Sequence, residues 1–364
     1  MKRKASKPWK LDINKHFEPS VSILIPMRNE EKTIQFKLEN LYKVNYPAEK
    51  VQVIAVNDGS TDKTLSNFSE SVNSYSKFDI TILNQQKREG KANSLNLALK
   101  NATGDIIIVG DADCFWPSDI LMKALPYLSD PNVGAVAGRE LILNPQETWV
   151  TESERFYDSF VHTTRLGESK VHSTIVFQGG FAAYKRAALE CFDRETDDSG
   201  TALKIVQKGM RTLIIPDGIF YTMFPDNWKN KFVTKIRRAN QLQQIWKMCL
   251  KLMIRRKLVL PKKIATPEIF LYLFNPVIFL ALLIITPFLV IEHSLLVLAL
   301  LLVLLSSLLV SKSRVIVIEI VQNNLILLVA LAELITKRKM KMWATIDESR
   351  SLLTREILQQ KNLI

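Results

Sequence analysis

Short apolar runs alternate with helix-type patterns over the first half of the chain. Almost wholly apolar runs are typical of strands that are covered on both faces of a parallel sheet, whereas apolar residues spaced by three and four positions indicate helices. The pattern predicts strands at residues 21–26, 51–56, 80–83, 105–110 and 133–137. It predicts one helix that begins within the acidic stretch 27–31 and two more at residues 63–75 and 91–101. This alternation indicates an α/β fold with a mostly parallel sheet flanked by helices.

Three long apolar tracts follow in the last third of the chain, at residues 270–291, 295–310 and 315–336. Runs of this length are long enough to enter a bilayer. The first two tracts are separated by three residues and therefore predict a transmembrane hairpin. The third contains Glu319 and Glu333 and is followed by a basic stretch that would lie outside if the tract crossed the membrane. We interpret the third tract as interfacial or re-entrant, because a full span would expose polar groups to lipid.

These patterns divide the chain into five regions. The predicted regions are a basic N-terminal tail at residues 1–18, an α/β domain at 19–244, a basic amphipathic interface helix at 245–265, a membrane-embedded region at 266–336, and a cytosolic tail at 337–364.

The net charge of the chain is +13, and much of the positive charge lies in one stretch before the apolar tracts. Residues 227–267 contain twelve Lys or Arg and no acidic residue, directly before the first apolar tract. Basic residues beside a membrane segment indicate contact with anionic lipid headgroups, so we expect membrane lipids and no nucleic acid as partners.

The N-terminal residues lack the apolar core of a secretory signal. Three scattered cysteines, Cys114, Cys191 and Cys249, are typical of free thiols in a reducing compartment. We therefore expect a multi-pass membrane protein with a cytosolic α/β domain, in the plasma membrane of a prokaryote.

Polar clusters follow three of the predicted strands. Arg28 and Asp58 each lie just beyond a strand, and Asp111 and Asp113 follow the strand at 105–110. Ligands of parallel sheets bind beyond the carboxyl ends of the strands. Two carboxylates on one side of an extended backbone can hold a hard divalent cation, Mg²⁺ or Mn²⁺, although Asp-x-Asp alone is also the pattern of two solvated acids. The chain has no Walker loop and no Gly-x-Gly-x-x-Gly fingerprint, which disfavours P-loop NTPases and dinucleotide oxidoreductases.

Residues 21–30, 56–62 and 110–113 resemble the three nucleotide-sugar signatures of family 2 glycosyltransferases, which have a GT-A fold. The resemblance covers roughly residues 19–244. It implies that Asp58 binds the nucleotide base and that Asp113 holds Mg²⁺ or Mn²⁺ on the diphosphate. The other residues that it places at the nucleotide sugar are Pro26, Arg28, Glu30, Lys91 and Asp111.

The same resemblance extends to the acceptor side. Gly179 and Gly180 match the acceptor-side glycine segment of the family, and Asp197 and Asp198 match its Glu-Asp motif with Asp197 in place of Glu. The resemblance makes Asp198 the general base that takes a proton from the acceptor hydroxyl. On local sequence alone, two acids that cap a helix are an equal alternative.

The chain departs from the family at Gln-x-x-Arg-Trp, a motif that contacts the acceptor and the diphosphate. The nearest match is residues 235–240, which offer Arg237 and Arg238 but lack the Gln and the Trp. Without the stacking Trp, we expect single sugar addition rather than processive synthesis. An ordinary basic, membrane-facing helix is the alternative.

The sequence therefore predicts an inverting, metal-dependent glycosyltransferase that moves a sugar from a nucleotide-sugar donor to a lipid-linked or glycan acceptor at the cytosolic membrane face. Two alternatives remain. A sugar-phosphate nucleotidyltransferase has a similar sheet, but the Gly-rich phosphate loop of that class is absent here. A catalytically inactive membrane scaffold would keep the GT-A fold and bind no nucleotide.

Overall fold

A computed structural model describes residues 1–74, 77–144, 149–225, 227–292, 309–336 and 350–364, and single positions between 295 and 306. The chain forms two compact units. The first comprises Met1–Asn227 and Lys341–Ile364, and the second comprises Trp228–Met340.

The first unit contains a mixed sheet with the strand order β3-β2-β1-β4-β7-β6-β8-β5. The strands are β1 Val21–Met27, β2 Val51–Asp58, β3 Asp79–Gln85, β4 Ile106–Val109, β5 Cys114–Phe115, β6 Val133–Ile142, β7 Ala182–Lys185 and β8 Arg211–Thr222. The pairs β1/β2, β2/β3, β1/β4 and β6/β8 are parallel, whereas β7 is antiparallel to both β4 and β6 and β5 is antiparallel to β8. The predicted sheet flanked by helices is confirmed, and its first four strands form the parallel half.

Helices cover both faces of this sheet. Those of the first unit are α1 Lys2–Ala5, α2 Ile34–Tyr42, α3 Thr64–Ser74, α4 Lys91–Asn101, α5 Ile120–Ala124, α6 Trp149–Val171, α7 Asp197–Gln207 and, near the C-terminus, α12 Arg355–Gln360, with short 3₁₀ turns at Ala48–Lys50, Leu125–Ser129 and Arg186–Ala188. Helix α4 has the predicted bounds. Helix α2 begins at Ile34, later than predicted. Asn29 adopts a positive φ of 53°, so no helix can run through that residue.

The parallel register brings the polar loops to one edge of the sheet. Met27 pairs with Asn57 across β1 and β2, and Leu24 pairs with Val109 across β1 and β4. Every residue of β1 and β4 is buried, because helices cover the sheet on both sides. The loops after β1, β2 and β4, which carry the predicted ligands, therefore emerge side by side.

Both predicted tails are packed parts of the first unit. Near the N-terminus, Trp9 makes an edge-to-face contact with Tyr127, with ring centroids 5.4 Å apart. At the C-terminus, Leu358 and Leu363 are buried in an apolar cluster with Phe115 and other residues of the sheet domain. Residues 350–364, the described part of the predicted cytosolic tail at 337–364, are thus packed on the α/β domain through their apolar side chains.

The second unit is helical. It contains α8 Trp228–Ile254, α9 Lys262–Ile269, a wide turn of π-helix at Phe270–Phe274, α10 Asn275–Glu292 and α11 Ser311–Ile335. The predicted boundary at residue 244 falls inside α8, because helical hydrogen bonding continues without a break through that position. The division into compact units lies instead between Asn227 and Trp228.

Two helical stretches of the described residues are long and apolar enough to cross a membrane, at Lys262–Glu292 and Ile316–Ile335. Most of the tract 295–310, the second half of the predicted hairpin, lies outside the described residues. Helix α11 runs through the third tract without the break that a re-entrant turn inside it would need.

Polar residues of the third tract are used inside the helical unit. Glu319 pairs with Lys231 at 3.2 Å and with Lys235 at 3.4 Å, and all three side chains are at most 7% exposed. Asn324 accepts a hydrogen bond from Asn275 at 2.6 Å. Two of the polar residues of this tract, Glu319 and Asn324, therefore have partners within the helical unit, which lowers the cost of placing them in a bilayer.

Candidate active site

One lysine gathers three carboxylates from distant parts of the sequence. The ammonium nitrogen of Lys91 lies 2.8 Å from Asp111, 3.2 Å from Asp197 and 3.8 Å from Asp198. These side chains are between 13% and 18% exposed. Asp111 comes from the loop after β4, Lys91 begins α4, and the other two acids form the first turn of α7. Three predicted motifs therefore meet at the Lys91 ammonium group. The two acids of α7 lie at the start of a helix and also belong to this cluster, so both interpretations of their sequence hold for their position.

The predicted glycine segment lies directly against this cluster. A Cβ atom added to Gly179 would lie 2.4 Å from the Lys91 ammonium nitrogen, 2.8 Å from an Asp198 carboxylate oxygen and 2.9 Å from one of Asp111. A Cβ added to Gly180 would lie 2.0 Å from the ring of Phe220. Side chains at either position would collide with their neighbours, so Gly179 lets the backbone approach the acidic cluster closely and Gly180 lets it approach the ring of Phe220.

Asp113 lies in a second group of potential ligand atoms. One atom each of Asp111, Asp113 and Cys114 lie within 4.8 Å of one another, a spacing that suits a metal ion. The Asp113 side chain is 29% exposed, so solvent and ligands can reach it. Burial, together with the charges of the two aspartates, raises the pKa of the Cys114 thiol well above its ordinary value, so the thiol stays protonated. The oxygen atoms of the two carboxylates are therefore the better ligands for a hard cation.

An arginine that the sequence patterns did not single out contacts Asp113. Arg350 forms a two-point ion pair with Glu30, with its Nε 2.6 Å from Glu30 Oε2, and its terminal nitrogen lies 3.4 Å from Asp113 Oδ2. Glu30 is fully buried and also accepts a hydrogen bond from Thr33 at 2.7 Å. The predicted contact between Glu30 and the nucleotide sugar stays a prediction. A separation of 237 residues between Arg350 and Asp113 left no local signal for the pair.

Asp58 organises the loop that leads into α4. Its carboxylate accepts hydrogen bonds from the backbone N–H groups of Glu89 at 2.6 Å and Gly90 at 3.0 Å. Gly90 adopts a φ of 95°, which favours glycine, and α4 starts at the next residue, Lys91. Asp58 is 2% exposed and holds this loop in place, while its predicted contact with the base stays a prediction.

Pro26 lies within β1, where it pairs with Val56, and is buried there. Arg28 follows the strand. Burial lowers the pKa of the Arg88 guanidinium, and the nearby positive charge of Arg28 lowers it further. Arg237 and Arg238 lie on α8 in the second unit, so their predicted contact with acceptor and diphosphate stays a prediction.

The electrostatics of the cluster indicate an excess of negative charge. Burial alone would lower the pKa of Lys91, but the attraction of Asp111, Asp197 and Asp198 outweighs it and raises that pKa well above the ordinary value. Burial raises the pKa of Asp111, and the neighbouring charge of Asp113 adds to the rise while Lys91 opposes it. A lysine shared by three acids leaves negative charge that a divalent cation would offset.

Similar proteins of known classification support a sugar-transfer site. Residues 22–192 match the glycosyl transferase family 2 domain. The chain is 36% identical over 136 residues to a beta-monoglucosyldiacylglycerol synthase of Nostoc sp., a match that covers 37% of this chain and 29% of that protein. It is 27% identical over 237 residues to the probable glycosyltransferase YdaM of Bacillus subtilis, covering 61% of this chain and 56% of that protein. The chain thus aligns with less than two thirds of the length of these two relatives.

A solved structure matches over nearly the whole length of both chains. The mannosyltransferase PcManGT from Pyrobaculum calidifontis, determined in complex with GDP-Man and Mn²⁺, is 30% identical, with 93% of each chain covered and a TM-score of 0.78. The sheet order, the converging acidic loops and these matches together establish that the chain belongs to glycosyl transferase family 2 and has a GT-A fold.

Proposed function

We propose that this protein transfers a single sugar from a nucleotide-sugar donor to a lipid-linked or glycan acceptor, with inversion at the anomeric carbon and with the help of Mg²⁺ or Mn²⁺. The observation that carries the proposal is the convergence of Asp111, Asp197 and Asp198 on the Lys91 ammonium group beneath Gly179. Such a reaction requires acids for metal binding and for proton transfer close to one another.

Asp111 and Asp113 are the residues that would hold the cation. Their carboxylate oxygens are of the kind that Mg²⁺ and Mn²⁺ prefer, and they belong to one group of closely spaced ligand atoms. A bound cation would stabilise the negative charge that develops on the departing nucleoside diphosphate. Lys91, which already pairs with Asp111, would add a fixed positive charge on the same side.

Asp198 is the proposed general base. It takes the proton from the acceptor hydroxyl while that oxygen forms a bond to the anomeric carbon, and the bond between that carbon and the diphosphate oxygen breaks. The electron pair of the broken bond leaves with the nucleoside diphosphate. Attack from the face opposite the leaving group inverts the anomeric centre, as in inverting hydrolysis by a carboxylate base.

The helical unit supplies the membrane association in this proposal. Helical stretches at Lys262–Glu292 and Ile316–Ile335 are long and apolar enough for a bilayer, and twelve basic residues lie within residues 227–267, before and at the start of the first stretch. Basic residues in this position favour the cytosolic leaflet, where the donor would be available. We expect the purified protein to need detergent to stay in solution and to bind vesicles of anionic lipid.

Turnover of nucleotide sugars by the purified protein tests the proposal. GDP-mannose is the first donor to try, because the matched solved structure contains it. We expect Mn²⁺-dependent release of GDP that is abolished by EDTA and reduced at least ~100-fold in Asp113→Ala and Asp198→Asn. Full activity of either variant, or indifference to EDTA, would contradict the mechanism.

The alternatives give different results in the same set of assays. Release of pyrophosphate from a nucleoside triphosphate and a sugar phosphate would identify a nucleotidyltransferase. A thermal-shift screen of nucleotide sugars with Mn²⁺ serves the other alternative, because a ligand of the folded state raises its apparent stability. No shift with any nucleotide sugar would favour an inactive scaffold.

A further inference from the structure

The C-terminal segment at residues 350–364 is fixed to the α/β domain by apolar and polar contacts. Leu358 and Leu363 are buried, and the backbone carbonyl of Leu363 accepts a hydrogen bond from Asn40 at 2.7 Å. The same Asn40 side chain bonds the backbone of Trp116, three residues after Asp113. Arg355 forms a two-point ion pair with Glu39 at 2.8 and 2.6 Å. The segment is therefore anchored next to the loop that carries the predicted metal ligand.

Arg350 stands at the start of this segment, and Glu30 fixes its position. The guanidinium is 5% exposed and presents two nitrogens to the two oxygens of the fully buried Glu30 carboxylate. A planar fork that is held at two points leaves little freedom to rotate. One of the two nitrogens also faces Asp113 Oδ2 at 3.4 Å. The contact with Glu30 thus holds the Arg350 guanidinium beside Oδ2 of Asp113.

The other oxygen of Asp113 lies near Cys114. Asp113 Oδ1 is 3.7 Å from the sulfur of Cys114, which belongs with Asp111 and Asp113 to the group of closely spaced ligand residues. Carboxylates that bind metals are commonly held by a further hydrogen bond, and loss of that partner weakens metal binding. Contact with Arg350 on Oδ2 would hold the carboxylate in the orientation that offers Oδ1 to a cation.

We propose that Arg350, held by Glu30, is a positioning residue for Asp113 and thereby sets the affinity of the site for its divalent cation. The C-terminal segment is then part of the active site. This inference rests on the proposed function, since it assumes that Asp113 binds the metal. A purely structural role, in which Arg350 does no more than neutralise the buried Glu30, is the competing explanation.

A double substitution separates the two roles. Arg350→Met alone would leave the Glu30 carboxylate buried without its partner, which unfolds or weakens many proteins. Glu30→Gln with Arg350→Met removes both charges, and the amide oxygen introduced by Glu30→Gln can still accept the hydrogen bond from Thr33. We expect this double variant to retain the melting temperature of the wild type within a few degrees. We also expect its Mn²⁺ affinity, measured by electron paramagnetic resonance of free Mn²⁺, to fall about 10-fold to 100-fold.

Arg355→Ala is the matched control, because it removes an ion pair of the same segment without touching Asp113. It should keep the Mn²⁺ affinity of the wild type. Arg350→Lys keeps a positive charge near Glu30 but has no fork to reach both acids, so it should bind Mn²⁺ less tightly than the wild type and provides the test if the double variant does not fold. In activity assays, the Mn²⁺ concentration for half-maximal rate should rise while kcat at saturating Mn²⁺ changes little.

Wild-type Mn²⁺ affinity in the folded double variant, or in Arg350→Lys should the double variant not fold, would overturn the positioning role. Failure of the wild-type protein to bind Mn²⁺ is a different result. It would overturn the proposed metal-dependent function itself, and the inference with it.

Discussion

The ammonium group of Lys91 lies 2.8 Å from the carboxylate of Asp111, although the two residues come from different loops of the sheet edge. Asp197 and Asp198 lie near the same ammonium group, so Lys91 is the shared cation of three acids in the candidate active site. Four consequences of this arrangement and its surroundings can be measured.

Replacement of Lys91 by Met should destabilise the protein. The substitution leaves three largely buried carboxylates without their shared cation, and breaking a buried ion pair from one side typically costs about 3 kcal/mol or more. Urea unfolding should show this loss, and added Mn²⁺ should recover part of it by replacing the missing charge. Lys204→Met is the control, since Lys204 pairs with Asp193 at an exposed position and should cost less than ~1 kcal/mol. Equal stability of the two variants would contradict the central role of Lys91.

Asp198→Asn and Asp197→Asn should affect catalysis differently. Both residues lie near Lys91, but only Asp198 is assigned the transfer of a proton from the acceptor. We expect Asp198→Asn to lower kcat about 100-fold to 10,000-fold with donor affinity within a few-fold of the wild type. Asp197→Asn should reduce kcat less. Steady-state kinetics with donor and acceptor each varied would check this, and the reverse order of the two variants would assign the base to Asp197.

Gly179→Ala should abolish activity, whereas its effect on the melting temperature should be small. The added methyl group would lie within 3 Å of Lys91, Asp198 and Asp111, so the cluster has to move. Gly209→Ala is a useful comparison, because its methyl group meets no atom within 4 Å but its backbone has a φ of 87°. That strain costs about 1–2 kcal/mol and lies outside the acidic cluster. The expected pattern is a lower melting temperature with retained kcat for Gly209→Ala, and lost kcat for Gly179→Ala. Similar kcat for both would show that the cluster tolerates the methyl group.

His162 should make the stability of the first unit depend on pH. Burial lowers its pKa from 6.5 to about 4, and the nearby charge of Arg139 contributes. Between pH 4 and 6.5 the unfolded chain therefore binds more protons at this residue than the folded chain does. Its contribution to stability is complete above pH 6.5 and is lost as the pH falls through this window.

Chemical unfolding of wild-type protein and His162→Gln at several pH values measures this contribution. The difference in unfolding free energy between the two proteins should be constant above about pH 7 and shrink or change sign below pH 6. The same substitution at the exposed His16 controls for the change of residue type. A difference that does not vary between pH 4 and 7 would show that His162 titrates alike in both states.

Local patterns were sufficient to find the strands and loops of the site. The apolar runs before Arg28, Asp58 and Asp111 become β1, β2 and β4, because a run without polar residues has to be covered on both faces and a parallel sheet provides this. The ends of parallel strands lie at one edge, so the sequence also predicted that Asp58 and Asp111 would emerge there. The first residue of α4, Lys91, was predicted as well.

Long-range packing decided what the local pattern left open. Acidic residues after β1 suit a helix start, yet Glu30 is buried and bound to Arg350, 320 residues away, and α2 begins later. The polar C-terminal segment was predicted as a cytosolic tail, and its sequence did not indicate that a few apolar residues such as Leu358 anchor residues 350–364 to the sheet domain. Polar residues in the third apolar tract suggested an interfacial helix, while Glu319 is in fact paired with two lysines of α8.

The sequence by itself determined the α/β sheet and the acidic residues at the sheet edge, because periodicity and short motifs are local properties that can be read without knowledge of the fold. The GT-A type was implied by the resemblance of its motifs to family 2 glycosyltransferases. Tertiary structure alone decided which charges meet. The pairing of Lys91 with three acids, and of Arg350 with Glu30 and Asp113, depends on how distant segments pack against the sheet. The sequence does not show which charges pair, because the attraction between two charges depends on their distance in space and not on their separation along the chain.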